Sequence, residues 1–163
     1  MELPQSVSYD RMSHLLKRID MGAEAGYADY KHNDEELGCQ PIMRMSALTE
    51  NLLKAIDYVS IIEKRKKNYQ LLDQSLRQYN QFGLICSDEE VPMVYLFLPK
   101  QNAELKKKLI ENKIFVATYW PNVLDWCKPS DYEYRLAQQA CFLPLDQRYG
   151  EEEMKRIVNT IMR

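Results

Sequence analysis

The chain has 163 residues, 45% of them hydrophobic and 28% charged, with a formal net charge of −2. That length supports one domain with a core of its own, or one domain with an appendage, and needs no disulfide staples. The near-neutral balance gives no reason to expect nucleic acid or an anionic membrane as partner, and no apolar run reaches the roughly 18 residues of a membrane span.

Residues 8–19, SYDRMSHLLKRI, place Met12, Leu15, Leu16 and Ile19 on one face of a predicted helix, with Ser8 positioned as its cap. In the following MGAEAGYADYKHNDEEL, Gly22 and Gly26 stand one helical turn apart beside Ala23 and Ala25. Small residues at that spacing let another backbone come close, so a packing role is expected. LGCQPIMRM reads as a loop, because Pro41 turns Gln40 away from helical backbone. A helix then opens near Ser46, with Leu48, Leu52 and Ile56 along one side.

The stretch 57–80, DYVSIIEKRKKNYQLLDQSLRQYN, organises the rest. Tyr58, Ile62, Arg65, Tyr69, Leu72, Leu76 and Tyr79 recur at steps of four and three, one stripe along a long helix with Asp57 as N-cap. After Asn80 the period changes. Residues 83–86 are a short strand candidate, 87–90 an acidic turn, and MVYLFLP at 93–99 a strand rich in β-branched and aromatic residues. A helix over 101–112 uses Leu105 and Leu109, with Asn112 at its exit. KIFVATY, 113–119, reads as the next strand, broken by Trp120-Pro121-Asn122. Ser130 to Glu133 fits a capping box opening a helix to about Gln139. CFLPL, 141–145, is a strand that Pro144 sends to an edge or an end. Glu151, Glu152 and Glu153 suit the first turn of a last helix that buries Met154, Ile157, Val158 and Ile161.

The order predicts an α/β (α+β) fold: a small, mostly antiparallel sheet of three to four strands covered by helices, with a long helix. The expected division is a helical segment at 1–44 and an α/β small domain at 45–163. The four cysteines (Cys39, Cys86, Cys127, Cys141) are scattered without a CxxC pair, so they read as buried free thiols and not as a zinc site. No metal site is expected. The first residues lack the basic-then-apolar order of a secretory signal, and a cytoplasmic location follows.

Chemistry is sparse. His14 and His32 sit in no nucleophile pattern, and no phosphate-cradling glycine loop occurs. No catalytic residue is nominated. The basic runs 64–67 and 106–108 are interleaved with acids and read as solvated faces, so nucleic acid is not an expected partner. The stripe of the long helix fits packing on the chain's own sheet better than a coiled-coil seam, because Arg65 would be buried unpaired in a seam. Tyr119-Trp120-Pro121-Asn122 is the most loaded loop. It reads equally as a ligand-facing strand end or as an aromatic plug at the core's edge.

The segments MRMSALTENLLKAIDYVSIIEKRKKNYQLL (43–72), FVATYWPNVL (115–124) and CFLPLDQRYGEEEMKRIVNTI (141–161) together resemble the C-terminal part of DegT/StrS-type sugar aminotransferases. They match an arginine-Met-Ser followed by a long helix, a proline loop after a strand, and a closing LPL strand with an acidic-capped helix. Ile42 stands where that family often has Asn, and no histidine follows Pro121. The resemblance implies the small C-terminal domain of a fold-type I enzyme dependent on pyridoxal phosphate. The lysine that carries the cofactor and the acid at its ring nitrogen belong to the family's large domain. This chain alone is then expected to hold no cofactor and to be catalytically incomplete, within a dimeric parent of nucleotide-sugar or polysaccharide biosynthesis. The resemblance further implies Arg44 as a cofactor-phosphate contact, and Asn122 with Trp120 and Tyr119 as contacts to a nucleotide sugar. A rival expectation is a non-enzymatic domain that homodimerises.

Overall fold

Asp57 opens the larger of two compact units into which the chain divides, Met1–Ile56 and Asp57–Arg163. The division therefore falls later than the 44/45 boundary read from sequence, and the helix after Ser46 belongs to the first unit. The computed structural model describes residues 2–83, 86–87, 89–100 and 104–163.

In the first unit, a 3-10 turn Tyr9–Arg11 precedes helices α1 (Ser13–Met21), α2 (Tyr27–Gly38) and α3 (Ala47–Lys54). Ser8 does not cap the first helical turn as expected; its hydroxyl bonds instead to those of Ser46 and Thr49. Ser46 does cap α3, accepting from Thr49 N–H at 3.1 Å. The two glycines have different reasons. Gly22 ends α1 at φ +94°, a left-handed backbone that glycine adopts without strain. Gly26 packs helix on helix, because a β-carbon there would collide with the His14 carbonyl oxygen. Among the described residues of this unit no apolar side chain is buried.

The second unit is built on α4 (Tyr58–Leu76), prolonged by a 3-10 turn Arg77–Tyr79. Asp57 caps it, its carboxylate accepting from Ser60 N–H at 3.1 Å. Then come β1 (Val94–Phe97), α5 (Leu105–Glu111), α6 (Val123–Trp126), α7 (Tyr132–Gln139), β2 (Cys141–Pro144) and α8 (Glu151–Met162). The fold is α+β, with a two-stranded antiparallel sheet among the described residues. Val94 pairs with Pro144 and Phe97 with Cys141.

Both faces of this sheet are covered. Tyr95, Phe97, Cys141 and Leu143 point to the larger core, which is completed by Leu72 and Leu76 of α4, Leu105 and Leu109 of α5, and Met154 and Ile157 of α8. Leu98, Ala140 and Phe142 face a smaller cluster with Phe82, Tyr119 and Leu136. A strand buried on both sides is apolar at successive positions, not alternate ones, which is why CFLPL reads as an unbroken apolar run. Each of these large side chains contributes roughly 1.5–3 kcal/mol when fully buried.

The expected strand at 113–119 is corrected. Its side chains do alternate, with Ile114 and Val116 at the larger core and Tyr119 at the smaller. Yet it meets the sheet through one bridge, Ala117 to Phe142. The antiparallel register places Phe115 opposite Pro144, which has no N–H to donate, so the ladder stops there. On the far edge of β1, Asn80 stands in for a strand. Its side-chain amide donates to Leu96 C=O at 2.8 Å and accepts from Leu98 N–H at 2.9 Å. The 83–86 strand candidate includes Leu84 and Ile85, and the 87–90 turn and 101–112 helix include Asp88 and 101–103; those residues lie outside the described ones. From Glu104 on, α5 has Leu105 and Leu109 buried and Asn112 as C-cap. The capping box at Ser130 is absent: Asp131 is the N-cap position of α7, and its carboxylate accepts from Lys128 N–H at 2.8 Å.

Two polar residues of α4 join helix to sheet. Asn68, 1% exposed, donates from Nδ2 to the carbonyls of Leu145, Asp146 and Tyr149. Arg65 donates to Gln147 Oε1 and to the carbonyls of Pro92 and Met93. A charge that would be unpaired in a coiled-coil seam is here satisfied by the segments flanking the two strands.

Candidate functional site

Four residues were singled out by sequence, and they fall in both units. Arg44, in the first, forms an isolated parallel bridge with Gln5. Its guanidinium pairs with Glu2 at 3.1 Å and donates from Nε to Leu3 C=O at 3.0 Å. Those contacts tie Arg44 to the N-terminal segment of its own unit.

Tyr119, Trp120 and Asn122 lie in the second unit, and their turn is the candidate site. Tyr119 is the plug that the loop reading allowed: its ring meets Phe142 edge-on, centroids 4.7 Å apart at 83°. Trp120 is not part of that plug. It stands at φ +49°, is 68% exposed, and touches Tyr119 at 5.7 Å. An aromatic side chain in the left-handed region costs of the order of 1–2 kcal/mol. Val123 N–H closes the turn on Trp120 C=O at 2.9 Å, and Asn122 C=O accepts from Asp125 and Trp126. Asn122 precedes α6 without capping it by its side chain.

A second polar group was missed by sequence. Tyr69 and Asp73 of α4 and Arg77 of the 3-10 turn that follows recur every fourth residue and line a cavity of about 200 Å³ with Lys66, Ser87 and Glu90. Arg77 pairs with the Asp73 carboxylate, whose other oxygen accepts from Tyr95 Oη at 3.2 Å. Burial raises the Tyr69 phenol above its ordinary pKa and pushes Tyr95 up to about 12. The signal was the i, i+4, i+8 spacing of a tyrosine, an acid and a base, which lay hidden beside the apolar stripe.

The implied cofactor needs a lysine to carry it and an acid at its ring nitrogen. Lys106 is drawn below its ordinary pKa by burial, but its ammonium donates to Ala137 C=O at 3.4 Å, and the neighbour acting on it is the Cys141 thiol. In the cavity with Lys66, Asp73 is already held by Arg77 and Tyr95, and Glu90 accepts from Ser87 N–H at 2.8 Å. Among the described residues no group of three or more His, Cys, Asp or Glu could hold a metal ion. None of the four cysteines forms a disulfide. Only Cys141 is buried, its thiol pushed up to about 11 by burial, whereas Cys39 is exposed, against the expectation of four buried thiols. No helix among the described residues is long and apolar enough to cross a membrane.

Compared with known proteins, the chain matches no family model, no curated protein and no solved structure.

Proposed function

We propose that the chain acts as the C-terminal, small domain of an aminotransferase-like protein of nucleotide-sugar or surface-polysaccharide biosynthesis, and does not transaminate by itself. The carrying observation is the first unit. Among its described residues no apolar side chain is buried, while Leu16, Ile19, Tyr27 and Ile42 stand between 57% and 80% exposed. Apolar side chains left exposed in that proportion are available to another body. Under this reading that body is a large domain bearing the cofactor lysine. The order of α4, β1, β2 and α8, with the LPL strand and acidic-capped last helix, supports the same reading.

The rival reading, a homodimerising interaction domain, draws on Tyr58 and Val59, 52% and 68% exposed on the first turn of α4. One set of measurements separates the two. The chain is produced alone and joined to the polypeptide encoded upstream of it, and each form is mixed with pyridoxal phosphate. The joined form is expected to take up cofactor on a lysine of the added part, fixed by borohydride. Stoichiometric capture by one lysine of this chain alone would overturn the reading. A concentration-independent dimer of the chain alone by light scattering, with no capture by the joined form, selects the rival.

A further inference from the structure

We propose that the second unit binds a free amino acid with an aromatic side chain, in the cleft that Tyr69 of α4, Tyr95 of β1 and Glu90 line together. The inference goes beyond the domain reading above, does not depend on it, and uses no residue of the 119–122 turn. Two cavities share this cleft, since Tyr69, Cys86, Glu90 and Pro92 line both. The larger, of about 440 Å³, is walled by Phe82, Val91, Val94 and Leu96 with the rings of Tyr69 and Tyr95. Those two rings lie 5.2 Å apart between centroids, tilted at 56°. The smaller, of about 200 Å³, is the charged one, with Lys66, Asp73, Arg77 and Glu90 around it.

The larger cavity selects the side chain. A flat ring placed between aromatic walls gains edge-to-face contacts in addition to burial. The smaller cavity selects the head group. Arg77 gives Nε, at 2.9 Å, and Nη2 to a single oxygen of Asp73. A guanidinium has further N–H groups beyond those two, and a carboxylate is the acceptor that matches them. Glu90 takes Ser87 N–H on Oε2 at 2.8 Å, and that bond holds its carboxyl below the ordinary range. It is therefore ionised at neutral pH, with acceptor sites for an ammonium. A ligand of net negative charge would meet Asp73 and Glu90, and one of net positive charge would meet Lys66 and Arg77. An α-amino acid carries one charge of each sign on a single carbon and is attracted by both pairs.

The full chain is labelled with ¹⁵N and titrated into the millimolar range with L-phenylalanine, and separately with phenethylamine, phenylpropionate and glycine, each of which lacks one part of it. Phenylalanine is expected to shift the amides of Val94, Tyr95 and Leu96, and each analogue to bind at least about tenfold more weakly. In Arg77→Gln the preference for phenylalanine over phenethylamine should shrink about fivefold or more, and in Glu90→Gln the preference over phenylpropionate should shrink likewise. Amides of β1 that ignore phenylalanine overturn the proposal. So does phenethylamine or phenylpropionate binding as tightly as the amino acid, or a preference that both variants leave unchanged. The native titration decides even where a variant fails to fold. Cofactor capture by the joined protein bears on the domain reading alone, so either inference can fail while the other stands.

Discussion

Asn68 shows how much one polar side chain can hold. Its two N–H donors are shared among three carbonyls of the 145–149 turn, at 3.1 to 3.3 Å and out of reach of water. Removing a buried partner leaves the others desolvated and unmade, so Asn68→Ala should cost about 3 kcal/mol in urea unfolding. Asp146, in the same turn, is a pH-dependent prop. Burial alone would raise its carboxyl, but Arg148 binds both oxygens at 2.8 Å and, with the Arg148 N–H, holds it below its ordinary value. A depressed carboxylate contributes stability above its unfolded pKa of 3.8 and loses it as pH falls toward the folded value. Asp146→Asn should therefore narrow the gap between urea midpoints at about pH 6 and about pH 3. Neither residue was nominated from sequence. Asn68 lies one step off the apolar stripe, and Asp146 falls between the last strand and the last helix; their partners are backbone carbonyls and a neighbouring cation that composition does not reveal.

The elements themselves were legible where local chemistry decides. The cap at Asp57, the helix start near Ser46, β1, β2 and the acidic first turn of α8 are written in adjacent residues. Glu153 Oε2 indeed accepts from Gly150 N–H at 2.8 Å. The segment 113–119 was misread for a reason outside itself. Its alternation is genuine, but a ladder needs donors on the neighbour, and Pro144 lacks one. Pro144→Val should let the new amide donate to Phe115 C=O; that amide is expected to exchange slowly with deuterium, and Ala117 and neighbours to gain protection. Fast exchange at position 144 would refute this account of the edge. In the site, the loop 119–122 was recognised as loaded, but sequence could not divide its two aromatics into Tyr119 for the core and Trp120 for solvent. That split follows from the sign of one φ angle.

Across the whole molecule, apolar burial is distributed unevenly. Among the described residues, all of the buried apolar side chains lie at Leu72 or later. A polypeptide of residues 57–163 is expected to fold and melt cooperatively by itself, because α4, the sheet and α8 share one core. In the full chain, amides of α1 and α2 should exchange far faster than those of β1 and β2. Equal protection of both units would contradict the observed distribution.

Asn80 has a consequence for behaviour at high concentration. By filling the rim of β1 at Leu96 and Leu98 with a side chain that can extend no further, the fold denies that rim to a passing strand from another molecule. Fibre growth through that position is terminated before it starts, at the expense of a single carboxamide.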